Sequence, residues 1–157
     1  MPLNYFAYGS NMSLAQMRER CPESVAIGNG WLADHALVFP RYSTRRQSGA
    51  ASIAPRPGAT VWGVIYATTE ADLARLDVFE GFRADRAAAE NNYNRAMILV
   101  ARLNMDPLTC VTYIARPEAD HFPPSHDYLQ TILTGAIENG LPEPYVQALR
   151  RVKPADP

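Results

Sequence analysis

Cysteine is scarce in this chain. Two residues, Cys21 and Cys110, are too few for a disulfide framework or a four-ligand metal site, so a reducing, cytoplasmic setting is expected. Cys110, in a strand-like stretch with Leu108, Thr112 and Ile114, reads as a small buried hydrophobe. Neither charge is in excess: fifteen Lys plus Arg against sixteen Asp plus Glu leave a formal charge of -1, so no global field favours nucleic acid or an acidic membrane surface. Arg41, Arg45, Arg46 and Arg56 form the one basic concentration, and it lacks the interleaved aromatics of a single-strand binding groove; it reads as a solvated loop at a pocket rim. No run approaches the ~20 apolar residues of a membrane span, and the start of the chain lacks the basic and apolar regions of a signal peptide. His35, His121 and His126 are scattered without metal-ligand spacing, so no metal site is expected, and His126 beside Ser125 suits a helix start. There is no G-x-S-x-G elbow to make Ser10 a nucleophile. Repeats, heptads and low-complexity tracts are absent.

What is present suits one domain. With 157 residues and 47% hydrophobic content, a real core can form, and residues 1–153 are expected as a single unit with 154–157 as a tail. Residues 24–39 mix apolar positions with Gly28, Gly30 and Asp34 and read as two short strands; residues 49–54 read as another, with a turn at 55–58. Residues 60–68 (TVWGVIYAT) make the most convincing strand, where Gly63 suggests a bulge or a ligand close to the backbone. Thr69 can cap a helix whose apolar face is Leu73, Leu76 and Phe79, with Gly81 as its stop. Residues 94–103 and 108–115 read as a hairpin turning at 104–107. From Ser125 the spacing of Tyr128, Leu129, Ile132, Leu133, Ala136 and Ile137 is helical, and Pro142 opens a last helix carrying Tyr145, Val146 and Leu149. The sum is an α+β domain: about six strands in a curved or closed sheet with helices beside it.

Two segments carry chemistry. Tyr5 to Met12 (YFAYGSNM) is an apolar strand that breaks into a glycine turn and then a helix. Gly9 permits positive φ and close ligand approach, Ser10 or Asn11 can cap the helix, and free N–H groups there would face a carboxylate or an oxyanion. The second is Glu80, at the C-terminal end of the helix over residues 70–79 and flanked by Phe79 and Phe82. The negative end of the helix dipole and aromatic neighbours both disfavour its charged form and raise its pKa, as suits a base that must later act as an acid. A solvated Glu in a helix-ending turn is the plainer reading of that segment.

Together with VWGVIY at 61–66, LDVFEG at 76–81, Tyr93, Thr112-Tyr113, and GAIENGLP at 135–142 followed by Tyr145, these segments lie in the order of the γ-glutamylcyclotransferase family and its AIG2-like relatives, which the chain resembles over nearly its whole length. The resemblance implies a compact mixed barrel with flanking helices, no cofactor, and release of 5-oxoproline from a γ-glutamyl amine or peptide. It also implies that Tyr8, Gly9, Ser10 and Asn11 hold the glutamyl part, that Tyr93 and Tyr113 line the pocket, and that Glu80 handles protons. The reaction is intramolecular, so the enzyme needs no nucleophile: it holds the folded-back substrate and moves a proton. A noncatalytic module binding a small carboxylate and a γ-glutamyl hydrolase releasing glutamate use the same loop. Residues 81–92 (GFRADRAAAENN) look longer than the family's usual link and read as a lid, a rim loop or a surface helix turn.

Overall fold

The computed structural model describes residues 3–116 and 120–157. In chain order the elements are β1 (Leu3–Ala7), α1 (Leu14–Arg20), β2 (Val25–Ser43), β3 (Ser48–Thr68), α2 (Glu70–Glu80), β4 (Tyr93–Arg102), β5 (Met105–Ala115), α3 (His126–Glu138) and α4 (Glu143–Arg150), with short 3-10 turns at Ser10–Met12 and Ala88–Glu90. The strands close a mixed barrel in the order β1-β3-β2-β4-β5. β1 lies antiparallel to β3 and parallel to β5, meeting the latter at Tyr5 and Val111. Phe6, Val61, Ile65, Val100 and Cys110 are fully buried core residues, each large side chain contributing ~1.5–3 kcal/mol of apolar burial. The expected α+β barrel with flanking helices is what forms.

The strands are fewer and longer than the turn signals suggest. β2 runs unbroken through residues 25–43, because its breakers become register shifts at Ala26/Gly28 and Ala33/His35 rather than a turn. Residues 55–58 likewise do not reverse the chain but run on within β3, where the Gly58 N–H donates to the Asp34 carboxylate at 2.9 Å. Asp34 and Gly58 both take positive φ, 57° and 81°, so the glycine and aspartate signals mark paired irregularities in one long, curving hairpin. Gly63 pairs in register with Gly30 and is no bulge; what comes close to it is the chain's own β1, since a side chain there would meet the Ala7 carbonyl at 2.4 Å and the Phe6 ring at 2.7 Å. The β4–β5 turn is tighter than expected, with Asn104 at φ 56° and residues 105–107 already in β5.

The helices follow their caps. The α1 cap is Ser13, whose Oγ accepts from the Gln16 N–H at 3.3 Å, and not Ser10 or Asn11, which lie in the preceding 3-10 turn. Thr69 caps α2 through the Asp72 N–H at 3.1 Å, and Gly81 at φ 68° closes it. Leu73 and Leu76 face the core, but Phe79 is 38% exposed: its ring lines the cavity and carries the Arg20 guanidinium at 4.4 Å. Ser125 caps α3, and all its expected apolar positions are buried except Ile137. The Ala155 N–H donates to the Pro124 carbonyl at 2.8 Å, so the chain beyond α4 lies against the approach to α3.

Candidate active site

A cavity at one end of the barrel gathers residues from Tyr5 to Tyr128. Every residue singled out from the sequence lines it: Tyr8, Gly9, Ser10, Asn11, Glu80, Tyr93 and Tyr113. Their surroundings differ in ways that bear on what each can do.

The 9–12 loop is a single 3-10 turn. Met12 and Ser13 N–H groups bond the Gly9 and Ser10 carbonyls at 3.1 and 3.0 Å, while those of Ser10 and Asn11 have no acceptor among the described residues. Gly9 keeps a negative φ of -113°, so the left-handed conformation is not used there. A Cβ there would make ordinary contacts, 3.4 Å from the Ala51 side chain and 3.8 Å from the Tyr128 hydroxyl. Around the turn, the Tyr66 hydroxyl donates to the Asn11 carbonyl at 2.9 Å, Asn11 Nδ2 donates to the Tyr5 hydroxyl at 2.9 Å, and Gln16 Nε2 donates to Ser10 Oγ and Asn11 Oδ1, both at 2.8 Å. Ser10 Oγ accepts only from Gln16 and, at 3.4 Å, from Arg46, with no base beside it.

The loop is also clamped from outside by α3. Gly135 presses on the backbone of Met12 and Ser13, where a Cβ would sit 2.5 Å away. Asn139 Nδ2 donates to the Met12 carbonyl at 2.8 Å, and the Leu14 N–H donates to the Glu138 carboxylate at 2.7 Å. The GAIENG stretch thus supports YGSNM directly, which gives a physical reason for the two segments to occur together.

Glu80 ends α2 half-buried and facing the cavity. Its carboxylate makes no hydrogen bond or ion pair among the described residues. Burial raises its pKa above the ordinary value, against the pull of Arg20, Arg46, Arg41 and Arg45; desolvation outweighs four cations because none of them touches it. Three residues earlier, Asp77 accepts from Arg95 at 2.8 and 2.6 Å and from the Tyr113 hydroxyl at 2.7 Å, tying the last turn of α2 to β4 and β5. The Tyr113 hydroxyl is therefore a strut, and its ring lines the cavity. Tyr8 donates to the Tyr113 carbonyl and Tyr93 to the Ala51 carbonyl, the latter at 2.6 Å. Burial raises the pKa of Tyr5, Tyr8, Tyr93, Tyr113 and Tyr128, keeping these phenols protonated.

Several lining residues were not singled out from the sequence as site residues: Tyr5, Arg20, Phe79 and Tyr128. The tip of the β2–β3 hairpin folds over the cavity and brings Arg41, Arg45 and Arg46, while Arg56 lies elsewhere on β3. Ser125 N–H to Ser48 Oγ at 2.7 Å, Gly49 N–H to the Pro123 carbonyl at 3.1 Å and Ala51 N–H to the Tyr128 hydroxyl at 3.0 Å hold that tip in place. Residues 81–92 line none of the cavity and are no lid: buried Asn91 accepts from the Arg83 N–H at 3.1 Å and Arg86 Nε at 2.9 Å, and Arg86 also donates to the Gly81 carbonyl at 3.0 Å. The knot packs behind the end of α2. Among the described residues no cluster of His, Cys, Asp and Glu could hold a metal ion, and no helix is long and apolar enough to cross a membrane.

Comparison with known proteins agrees with this arrangement. The AIG2-like family model matches residues 60–149. The γ-glutamylcyclotransferases of Mus musculus and Homo sapiens are each 32% identical, over 96% and 97% of this chain and 78% and 79% of theirs. A solved γ-glutamyl cyclotransferase structure superposes with a TM-score of 0.90 at 30% identity, covering 100% of this chain and 91% of that one. With the turn, the carboxylate and the supporting α3 stretch all in place, the chain belongs to the γ-glutamylcyclotransferase family.

Proposed function

We propose that this protein cyclises a γ-glutamyl compound to 5-oxoproline and releases the attached amine or amino acid, with Glu80 as base and then acid. The observation that carries this reading is an unpartnered, desolvated carboxylate sharing one cavity with the two unengaged N–H groups of Ser10 and Asn11. The substrate's α-ammonium gives a proton to Glu80, and the freed nitrogen lone pair attacks the substrate's own γ-carbonyl carbon. The resulting oxyanion collapses and the bond from that carbon to the leaving nitrogen breaks as Glu80 gives that nitrogen the proton it holds; Glu80 then takes the surplus proton from the ring nitrogen and passes it to the departing amine, which leaves as an ammonium. No water is consumed. Ser10 and Asn11 N–H groups hold the α-carboxylate, and the protonated Tyr5 and Tyr128 hydroxyls remain donors for the developing oxyanion; Tyr8 and Tyr93, engaged with backbone carbonyls, shape the walls that hold the folded-back conformer.

Two further readings go with this one. The buried free cysteines, with burial pushing the Cys21 thiol up to about 12 and the Cys110 thiol up to about 11, suit a reducing cytoplasm. The near-neutral net charge suits a small-molecule substrate and not nucleic acid or a membrane surface.

Mass spectrometry of 5-oxoproline and glutamate, after incubation with a panel of γ-glutamyl compounds, tests the function. The wild type is expected to form 5-oxoproline, and Glu80→Gln to stay folded and lose roughly 10²–10⁴-fold in turnover. Free glutamate instead would mean hydrolysis. Full activity in Glu80→Gln would remove Glu80 from the chemistry.

A further inference from the structure

Four guanidiniums crowd one cavity. Arg20, Arg41, Arg45 and Arg46 line it, and among the described residues Glu80 is the one acidic residue in the lining. None of the four forms an ion pair among the described residues, whereas Arg75, Arg83 and Arg95 each sit on a carboxylate. The crowding is felt electrostatically: burial lowers the pKa of Arg20, and the nearby Arg46 and Arg45 lower it further.

The four divide by position. Arg20 donates to Asn11 Oδ1 at 3.1 Å and Arg46 to Gln16 Oε1 at 3.0 Å, so both belong to the loop that takes the glutamyl end. Arg41 and Arg45 bond nothing on that loop. They come from the hairpin tip and lie over the Tyr93 and Phe79 rings, at 5.4 and 5.6 Å. Arg41 also hydrogen-bonds the Tyr93 side chain, and with five N–H donors each guanidinium keeps others for a further partner, in a fork that matches a carboxylate. With the glutamyl part at the loop and its γ-carbonyl near Glu80, this tip is the lining left for the departing group.

Resting on the cyclotransfer reading, we propose that Arg41 and Arg45 form a subsite for an acidic side chain on the released amino acid. γ-Glutamyl-glutamate and γ-glutamyl-aspartate are then preferred over γ-glutamyl compounds of neutral amino acids. Such a substrate brings three carboxylates to four guanidiniums, where a neutral leaving residue brings two. The neutral comparison of nearly equal size is γ-glutamyl-glutamine.

The test is kcat/KM for γ-glutamyl-glutamate and γ-glutamyl-glutamine, read as 5-oxoproline, in the wild type, the Arg41→Gln/Arg45→Gln double variant and Arg56→Gln. The wild type is expected to favour the acidic substrate by about tenfold or more. The double variant is expected to bring the ratio near one, mainly through KM, while Arg56→Gln, exposed and outside the cavity, keeps it. Should the double variant not fold, Arg45→Gln alone, at an exposed position, is expected to lower the ratio. A wild-type ratio of one or less, or a ratio that the arginine variants leave unchanged, overturns the subsite while 5-oxoproline formation keeps cyclotransfer standing. If no γ-glutamyl compound of the panel, these two included, yields 5-oxoproline, the cyclotransfer reading fails and calorimetry decides the subsite: tighter binding of γ-glutamyl-glutamate, lost in the double variant, supports it, and equal binding overturns it.

Discussion

At the scale of single residues, the burial of Glu80 costs stability as pH rises. Its pKa is raised in the folded protein, so the folded state holds its proton more tightly than the unfolded chain does. The stability this provides is fully present below the ordinary value of about 4.5 and is lost as pH rises through the folded-state value. A neutral amide escapes that loss. Glu80→Gln is therefore expected to melt above the wild type at about pH 8, with the gap closing by about pH 4, in thermal scans across that range. A wild type that melts higher at pH 8 would mean that the arginines outweigh burial. Asp77 shows the opposite habit, its oxygens engaged by Arg95 and Tyr113. Two carboxylates one helical turn apart are thus given different tasks by their partners.

At the scale of elements, the loop at residues 9–12 is shaped less by its own sequence than by α3 behind it. Gly135→Ala pushes a methyl into the Met12–Ser13 backbone, an overpacking that costs ~1–3 kcal/mol and lowers Tm by roughly 2–10 °C. Because Met12 belongs to the same 3-10 turn as Ser10 and Asn11, whose N–H groups face the cavity in the proposed reading, KM for the γ-glutamyl substrate is expected to rise as well, although Gly135 lies outside the cavity lining; steady-state kinetics beside the melting curve checks both. Much of this was legible in the sequence. Caps and glycine stops placed α2 and α3, and the YGSN and EG motifs placed the turn and the carboxylate. The turns at Gly28, Asp34 and 55–58 were misread, because breakers that end a strand in an open sheet serve as irregularities when the strand must curve around a barrel. Arg20, Phe79 and Tyr128 were missed for a different reason: each reads locally as surface or core, and only closure of the fold brings them to one cavity.

At the scale of the whole molecule, a chain of net charge -1 concentrates four unpaired guanidiniums at one opening. The positive charge there comes from guanidiniums, which do not titrate near neutrality. Inorganic sulfate is expected to inhibit competitively and to raise Tm, both saturably; chloride at equal ionic strength is expected to do much less. Identical responses to the two salts would show screening rather than occupancy. The parallel seam between β1 and β5 carries a consequence for how the molecule comes into being. The Tyr8 hydroxyl and the Tyr113 carbonyl that meet beside it are 105 positions apart, so the contact forms only after a very long loop has closed. During synthesis the YGSN segment leaves the ribosome early and waits, with its neighbours on β1 unpaired on one side, until β5 follows. The cavity therefore closes only once β5 has joined β1, and a chain stopped before residue 113 would have the turn at residues 9–12 without the wall that Tyr113 supplies.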